Sequence, residues 1–218
     1  MPKRSDLEKW NDAMYLVHPT PYQNKIAGII ERQRVKAICK LARASNKDSV
    51  LEIGCEQGVL LEKFLNTKRV IGVDISQMAL KDAKRRLGAK AKLIQADAEK
   101  QLKIPGDLFE IIICSQMLEH VKSPKKVINN IWRLAKNNGR IIMSVPNELH
   151  LLKMKNILKS LGLLQWLFPG IEEKVSEWHL QVFTDKKFRK LIKNKFTIEK
   201  TMRIFGVYLV YLLKKEED

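Results

Sequence analysis

The chain is short of several things, and each shortage excludes something. Cysteine occurs three times in 218 residues, as Cys39, Cys55 and Cys114. That odd number, at those spacings, suits neither a zinc site nor a disulfide framework. Cys55 and Cys114 fall on or beside apolar runs that read as buried strands, where a thiol behaves as a small hydrophobe. A reducing, cytoplasmic compartment is therefore expected. No stretch approaches the about 20 uninterrupted apolar residues that a spanning helix needs. The opening Met1-Pro2-Lys3-Arg4-Ser5-Asp6 begins no apolar signal segment, so the protein is expected to be soluble or peripheral at a membrane. Carboxylates are scarce: 24 Asp and Glu against 41 Lys and Arg leave a formal charge of +17. Three readings of that excess compete, namely a face for nucleic acid, a face for anionic lipid headgroups, or a solvated lysine-rich surface. Repeats and low-complexity linkers are missing as well.

What is present is apolar material, 45% of the residues, enough for the core of one α/β domain. Residues 1–22 are polar and mixed, carrying Trp10, Tyr15, His18 and Tyr22 and punctuated by Pro19 and Pro21. A helix is expected over residues 23–44, with Ile26, Ile29, Ile30, Val35, Ile38 and Leu41 near a period of 3.6. The pattern then changes to short apolar runs alternating with helices. Strands are expected near residues 49–53, 69–73, 92–95, 108–114 and 140–145. Helices are expected over 59–65, 79–87 and 124–135, the last with Ser123 as N-cap and Pro124 at its first position. Strands that are apolar throughout and separated by helices imply a parallel sheet covered on both faces. Ligands of such sheets bind at the carboxyl ends of the strands.

One strand end carries the chemistry: Val50-Leu51-Glu52-Ile53-Gly54-Cys55-Glu56-Gln57-Gly58. A strand turning through glycines into a helix lets backbone approach a ligand closely, and N–H groups at a helix start offer an anion site. Asp74 ends the next strand, where an acid accepts hydrogen bonds from both hydroxyls of a ribose. Asp97 ends the third, and Cys114-Ser115 ends the fourth. The alternative is an ordinary tight turn. A nicotinamide-binding loop would read G-x-G-x-x-G, which Gly54, Glu56 and Gly58 fit poorly.

Taken together, these residues resemble the class I S-adenosylmethionine-dependent methyltransferases, especially those of ubiquinone and menaquinone biosynthesis. The resemblance covers residues 49–147 well and the C-terminal third more loosely. It rests on the glycine loop, on Val70 to Ser76 with Asp74, on Gln95-Ala96-Asp97-Ala98, and on Leu118-Glu119-His120-Val121. It extends to Ser144-Val145-Pro146-Asn147, and to Trp178-His179-Leu180 followed by Val182-Phe183-Thr184. It implies a Rossmann-like, doubly wound seven-stranded sheet, mostly parallel with an antiparallel last strand and helices on both faces. It implies S-adenosylmethionine as cofactor, held by Glu52, Gly54, Cys55, Glu56, Gly58, Asp74, Ile75, Asp97, Ala98 and Ser115. Two departures stand out. Glu56 occupies a position where the family usually has glycine, near the cofactor's methionine end. Asn137-Asn138-Gly139 replaces the usual Pro-Gly-Gly, a turn that asparagine in left-handed φ would preserve.

The division expected is a single domain: residues 1–48 a helical extension, 49–147 the cofactor-binding core, 148–180 an inserted helical lid, and 181–218 a last helix and strands. The insert is dense in leucine, with Trp166 and Phe168 and interspersed lysines. That pattern reads either as a lid packed on its own domain or as an amphipathic face admitting a lipid-like substrate. His120 and His179 are the candidate general bases or orienting groups; the alternative for each is a structural role. Asn147 would bind substrate or cap the inserted helix. No metal site is expected. The reading is transfer of a methyl group to a small-molecule, lipid- or quinone-like acceptor. The alternatives are an RNA methyltransferase, or a non-catalytic cofactor-binding partner protein, which Glu56 would permit.

Overall fold

Strand by strand, the apolar runs alternate their side chains between two cores. The computed structural model describes residues 6–17, 24–106, 108–171, 173–174, 176 and 178–216; His18 and Tyr22 lie outside them. Its strands are β1 (Ser49–Ile53), β2 (Arg69–Asp74), β3 (Lys92–Gln95), β4 (Phe109–Ser115), β5 (Ala135–Pro146), β6 (Phe196–Ile204) and β7 (Tyr208–Lys215). Its helices are α1 (Leu7–Val17), α2 (Lys25–Ala42), α3 (Gln77–Leu87), α4 (Pro124–Leu134), α5 (Glu148–Ser160), α6 (Leu164–Leu167) and α7 (Asp185–Ile192). The strands form one sheet in the order β3-β2-β1-β4-β5-β7-β6. β7 runs antiparallel to both neighbours, and the remaining pairs are parallel. The expected doubly wound sheet is thus present.

A period of two divides the side chains. Leu51, Ile53, Ile112, Cys114, Ile141 and Met143 face a core closed by α4 and α7, through Val127, Ile131 and Phe188. Val50, Ile111, Ile113, Ile142 and Val210 face the other core, closed by α2 and α3 through Ile38, Leu41 and Ala83. Strand order reverses beside β1, with β2 on one side and β4 on the other. That reversal opens a crevice at the carboxyl ends of these strands.

Several local expectations change. α2 begins at Asn24, whose side chain caps Ile26 and Ala27. Its buried face runs through Gly28, Glu31, Arg34, Val35, Ile38 and Leu41, while Ile26 and Ile29 are exposed. The expected face thus holds for Val35, Ile38 and Leu41, while Ile26 and Ile29 near the start of the helix fall outside it. The helix expected after the glycine loop is only a 3-10 turn, Leu61–Phe64. Thr67 ends it by donating from both N–H and hydroxyl to the Phe64 carbonyl. A segment that short cannot offset the cost of helix nucleation. α3 begins two residues earlier than expected, at Gln77, with Ser76 as its N-cap. Ser123 stands at the N-cap of α4 without a side-chain cap bond, Pro124 following at N1.

The Asn137-Asn138-Gly139 stretch is not a left-handed turn. It bulges out of β5, between the Phe109–Ala135 and Ile111–Arg140 pairs, and neither asparagine has positive φ. Gly139 is required by space: a Cβ there would lie 2.8 Å from the Lys136 carbonyl oxygen.

Candidate active site

The crevice beside β1 is a cavity of about 730 Å³, within the range of small-ligand pockets. Of the sequence-derived candidates it is lined by Glu52, Gly54, Cys55, Glu56, Asp74, Ile75, Asp97, Ala98, Ser115, His120 and His179. Gly58 and Asn147 are not among its lining residues. Gly58 is instead a packing position: its φ is +76°, and a Cβ would meet Leu87 Cδ1 at 2.7 Å. Asn147 begins α5 without a side-chain cap bond.

Gly54 shows why glycine opens the loop. Its φ is +79°, and a Cβ would stand 2.6 Å from Met117 Cγ, so Met117 closes over it from the loop after β4. The loop's N–H groups, however, do not form the expected anion cradle. Those of Gly54 and Cys55 both donate to the Val73 carbonyl, at 2.8 and 3.0 Å. That of Glu56 donates to Asp74 Oδ2 at 2.8 Å, and that of Gly58 to the Cys55 carbonyl at 2.8 Å. With these four donors committed inside the loop and only a 3-10 turn behind it, the loop lacks the row of open N–H groups that a helix start would offer.

The crevice does hold one guanidinium, that of Arg34, which sequence reasoning missed. It projects from the buried face of α2 into the crevice, 7% exposed. Its Nε donates to Glu31 Oε2 at 2.9 Å, its Nη2 pairs with Glu31 Oε1, and its Nη1 donates to Ser115 Oγ. The guanidinium also lies over the Tyr208 ring, 5.5 Å from the centroid. The signal in the sequence was an Arg and a Glu at i, i+3 on a helix face that otherwise turns inward.

The floor is acidic. Both Asp74 oxygens accept backbone N–H groups, Oδ2 from Glu56 and Oδ1 from Ser76 at 2.9 Å. Burial nonetheless raises the Asp74 carboxyl, with those hydrogen bonds opposing. Glu52 is 3% exposed, and its Oε2 finds no hydrogen-bond partner among the described residues. Burial pushes its carboxyl well up, against the pull of Arg34. Asp97 is fixed by the Glu99 N–H donating to Oδ1 at 2.8 Å. α1 covers one side, bringing Leu7, Asn11, Tyr15 and Leu16 to the wall. It is pinned by Tyr15 Oη donating to Asp82 Oδ2 at 2.8 Å, Gln95 Nε2 donating to Glu8 Oε1 at 2.7 Å, and Ser76 Oγ donating to Asp12 Oδ1.

The far wall brings both histidines together, His120 from the 3-10 turn after β4 and His179 from the chain returning from the insert. Their rings stand 5.1 Å apart, edge to face. The Trp178 ring lies 4.5 Å from that of His120. A carbonyl oxygen only accepts, so His120 Nδ1 donates to the Trp178 carbonyl, at 3.3 Å. His179 Nδ1 lies 2.5 Å from Oε1 of Glu148, whose carboxylate is 1% exposed at the start of α5. Glu119 is fully enclosed, and its Oε2 finds no hydrogen-bond partner among the described residues. Burial pushes its carboxyl to about 7, with His179 the strongest influence holding it down. Donor atoms of Glu119, His120 and His179 lie within 4.8 Å of one another, close enough to share a proton or a cation. Among the described residues of the insert, only Trp178 and His179 line the cavity; α5 and α6 contribute nothing to its wall.

With this geometry in view, residues 51–143 match a family model described as a methyltransferase domain. A ubiquinone biosynthesis O-methyltransferase of Nitrosospira multiformis is 30% identical over 147 residues, covering 66% of this chain and 61% of that protein. The chain thus spans less than two thirds of that curated relative. Among solved structures, the N-methyltransferase NodS of Bradyrhizobium japonicum, in complex with S-adenosyl-L-homocysteine, superposes with a TM-score of 0.69 at 17% identity, covering 97% of this chain and all of that one. Magnesium protoporphyrin IX methyltransferase of Synechocystis with bound S-adenosyl-L-homocysteine gives 0.68 at 19%, covering 98% and 100%. These last two establish the fold. The matched segment runs from β1 to the middle of β5, whereas Arg34, Glu148 and His179 lie outside it.

Proposed function

We propose that this chain is an S-adenosylmethionine-dependent methyltransferase that methylates a hydroxyl of a small, quinone- or lipid-like acceptor. The observation that carries the reading is the His179–Glu148 pair at the wall of a crevice whose floor suits a nucleoside. Asp74, at the tip of β2, would hold the ribose, and Asp97, at the tip of β3, the adenine end. Arg34 would take the cofactor's carboxylate, since the N–H groups of Gly54, Cys55, Glu56 and Gly58 are committed within the loop. The orphaned Glu52 Oε2 fits a ligand that brings hydrogen-bond donors. The cofactor supplies an activated methyl on its sulfonium, so the protein's tasks are positioning, water exclusion and proton removal.

His179 performs the last of these. Glu148 accepts from its Nδ1–H, which leaves Nε2 as the nitrogen that takes the acceptor's proton, and the buried carboxylate then stabilises the imidazolium. Methylation of an amine or a carbon also releases a proton, so the pair alone does not select the hydroxyl; the O-methyltransferase relative supports it. α1 and Trp178 shield the reacting groups from water. An exposed apolar face on the insert, comprising Leu149, Ile157, Leu161, Leu163 and Trp166, supports an acceptor that resides in a lipid surface. Among the described residues no helix is long and apolar enough to cross a membrane.

The test is a kinetic split. His179→Ala should lower kcat about 100- to 10,000-fold with a phenolic acceptor while leaving the cofactor Kd within a few-fold of the parent. Equal kcat in a folded variant would remove His179 from the chemistry.

A further inference from the structure

The crevice of a protein with net charge +17 is lined by seven carboxylates, and Arg34 is its one Lys or Arg among the described lining residues. Glu56 is the unusual member. It sits in the glycine loop at φ +46°, a conformation costly for a residue with a side chain. It lines the crevice and is solvent-exposed, at the mouth rather than in the enclosed floor. The charged groups that act on it come from each neighbouring element: Asp74 on β2, Glu31 and Arg34 on α2, and Glu52 on β1. Tyr15 on α1 feels the charge of Glu56 as well. Resting on the cofactor assignment above, we propose that Glu56 is a charge-specificity residue: it makes the pocket prefer the sulfonium cofactor over its neutral thioether product.

The argument is electrostatic. S-Adenosylmethionine carries one more positive charge than S-adenosylhomocysteine, and the two are otherwise nearly the same shape. Contacts to adenine, ribose and carboxylate are common to both and cannot discriminate. A surplus of negative charge can, because it acts on the one charge that differs. Three nearby carboxylates, from Glu31, Glu56 and Asp74, meet a single guanidinium already paired with Glu31. Desolvation first, then Asp74 and Glu31, push the Glu56 carboxyl up to about 7, while Arg34 pulls it down. An incoming cation relieves that crowding, and the neutral product does not. The consequence is weak product inhibition.

The experiment is calorimetric titration of the full chain with S-adenosylmethionine and S-adenosylhomocysteine, at about pH 6 and about pH 8. Glu56→Gln keeps the shape and removes the charge; Glu56→Gly restores the unstrained loop. A carboxylate within a few ångströms of a cation is worth about tenfold or more in equilibrium. Both variants should therefore lower the product-to-cofactor Kd ratio at pH 8 about tenfold, through weaker S-adenosylmethionine binding. In the parent the ratio should be smaller at pH 6 than at pH 8, and this pH dependence should shrink in Glu56→Gln. If both ligands weaken equally, or both tighten, Glu56 is an element of shape and the proposal fails, with the cofactor assignment intact. If the folded parent binds neither ligand, the cofactor assignment fails and takes the proposal with it.

Discussion

Replacing Asp74 with asparagine isolates the cofactor's ribose site, because the structure dictates what an amide must lose there. Asp74 Oδ2 accepts the Glu56 N–H at 2.8 Å and Oδ1 the Ser76 N–H at 2.9 Å. Asparagine has one acceptor oxygen, so whichever way it flips, its NH2 faces a backbone N–H. An enclosed donor left without its acceptor costs about 1–3 kcal/mol, and a lost hydrogen bond to a charged group about 1.5–3 kcal/mol. Water entering from the crevice softens the first figure. A combined loss of about 3 kcal/mol weakens cofactor binding on the order of 100-fold. The assay is calorimetric titration of Asp74→Asn with S-adenosylmethionine, after circular dichroism shows a native fold. A Kd within threefold of the parent would refute the ribose assignment, since no geometry of the amide preserves both backbone bonds and the acceptor.

Three further outcomes follow from named contacts. Glu148→Gln removes the charge that supports the His179 imidazolium. At an effective dielectric near 20, discounted for the open side of the crevice, the pair is worth about 2 kcal/mol, so single-turnover transfer should slow roughly 30-fold at unchanged cofactor Kd. Burial alone would raise the Glu110 carboxyl, but hydrogen bonds from Lys136 and from both Ser49 Oγ and N hold it at about 2. Its stabilisation is therefore present above the ordinary 4.5 and is lost as pH falls from there towards 2. Urea unfolding should find Glu110→Gln less stable than the parent by about 1 kcal/mol near pH 7, after screening, with the gap closing near pH 2; a constant gap would contradict the pairing. Finally, Leu161→Ser with Trp166→Ser should reduce sedimentation with anionic vesicles about tenfold or more without changing cofactor affinity. Unaltered sedimentation would detach the insert from any lipid surface.

The parts of the site legible in the sequence are those that lie at strand ends. Glu52, Asp74, Asp97 and Ser115 each close or follow an apolar run, and parallel pairing places such ends side by side whatever the loops do. Residues arriving from other elements were not legible, because their approach depends on packing. Arg34 is the clearest case. Reading α2 by its isoleucines turned Ile26 and Ile29 inward, whereas the fold turns in Glu31 and Arg34, a pair that satisfies itself and meets Ser115. Glu148 was only the first residue of the expected insert, and its contact with His179 depends on the returning chain. The glycine loop was read correctly as a tight approach, since Gly54 lies under Met117. Its donors were misread, because they satisfy Val73 and Asp74 before any ligand arrives. The insert was expected over the site; its helices stay off the cavity wall, and its return segment supplies Trp178 and His179.

The account stands most directly on one measurement: transfer of labelled methyl from S-adenosylmethionine to a panel of phenolic and quinol acceptors, with RNA and lipid fractions alongside and products located by mass spectrometry. The account predicts a methyl ether on a hydroxyl of a hydrophobic phenol or quinol, lost in His179→Ala. Label appearing in RNA, on nitrogen, or nowhere despite intact cofactor binding would contradict it.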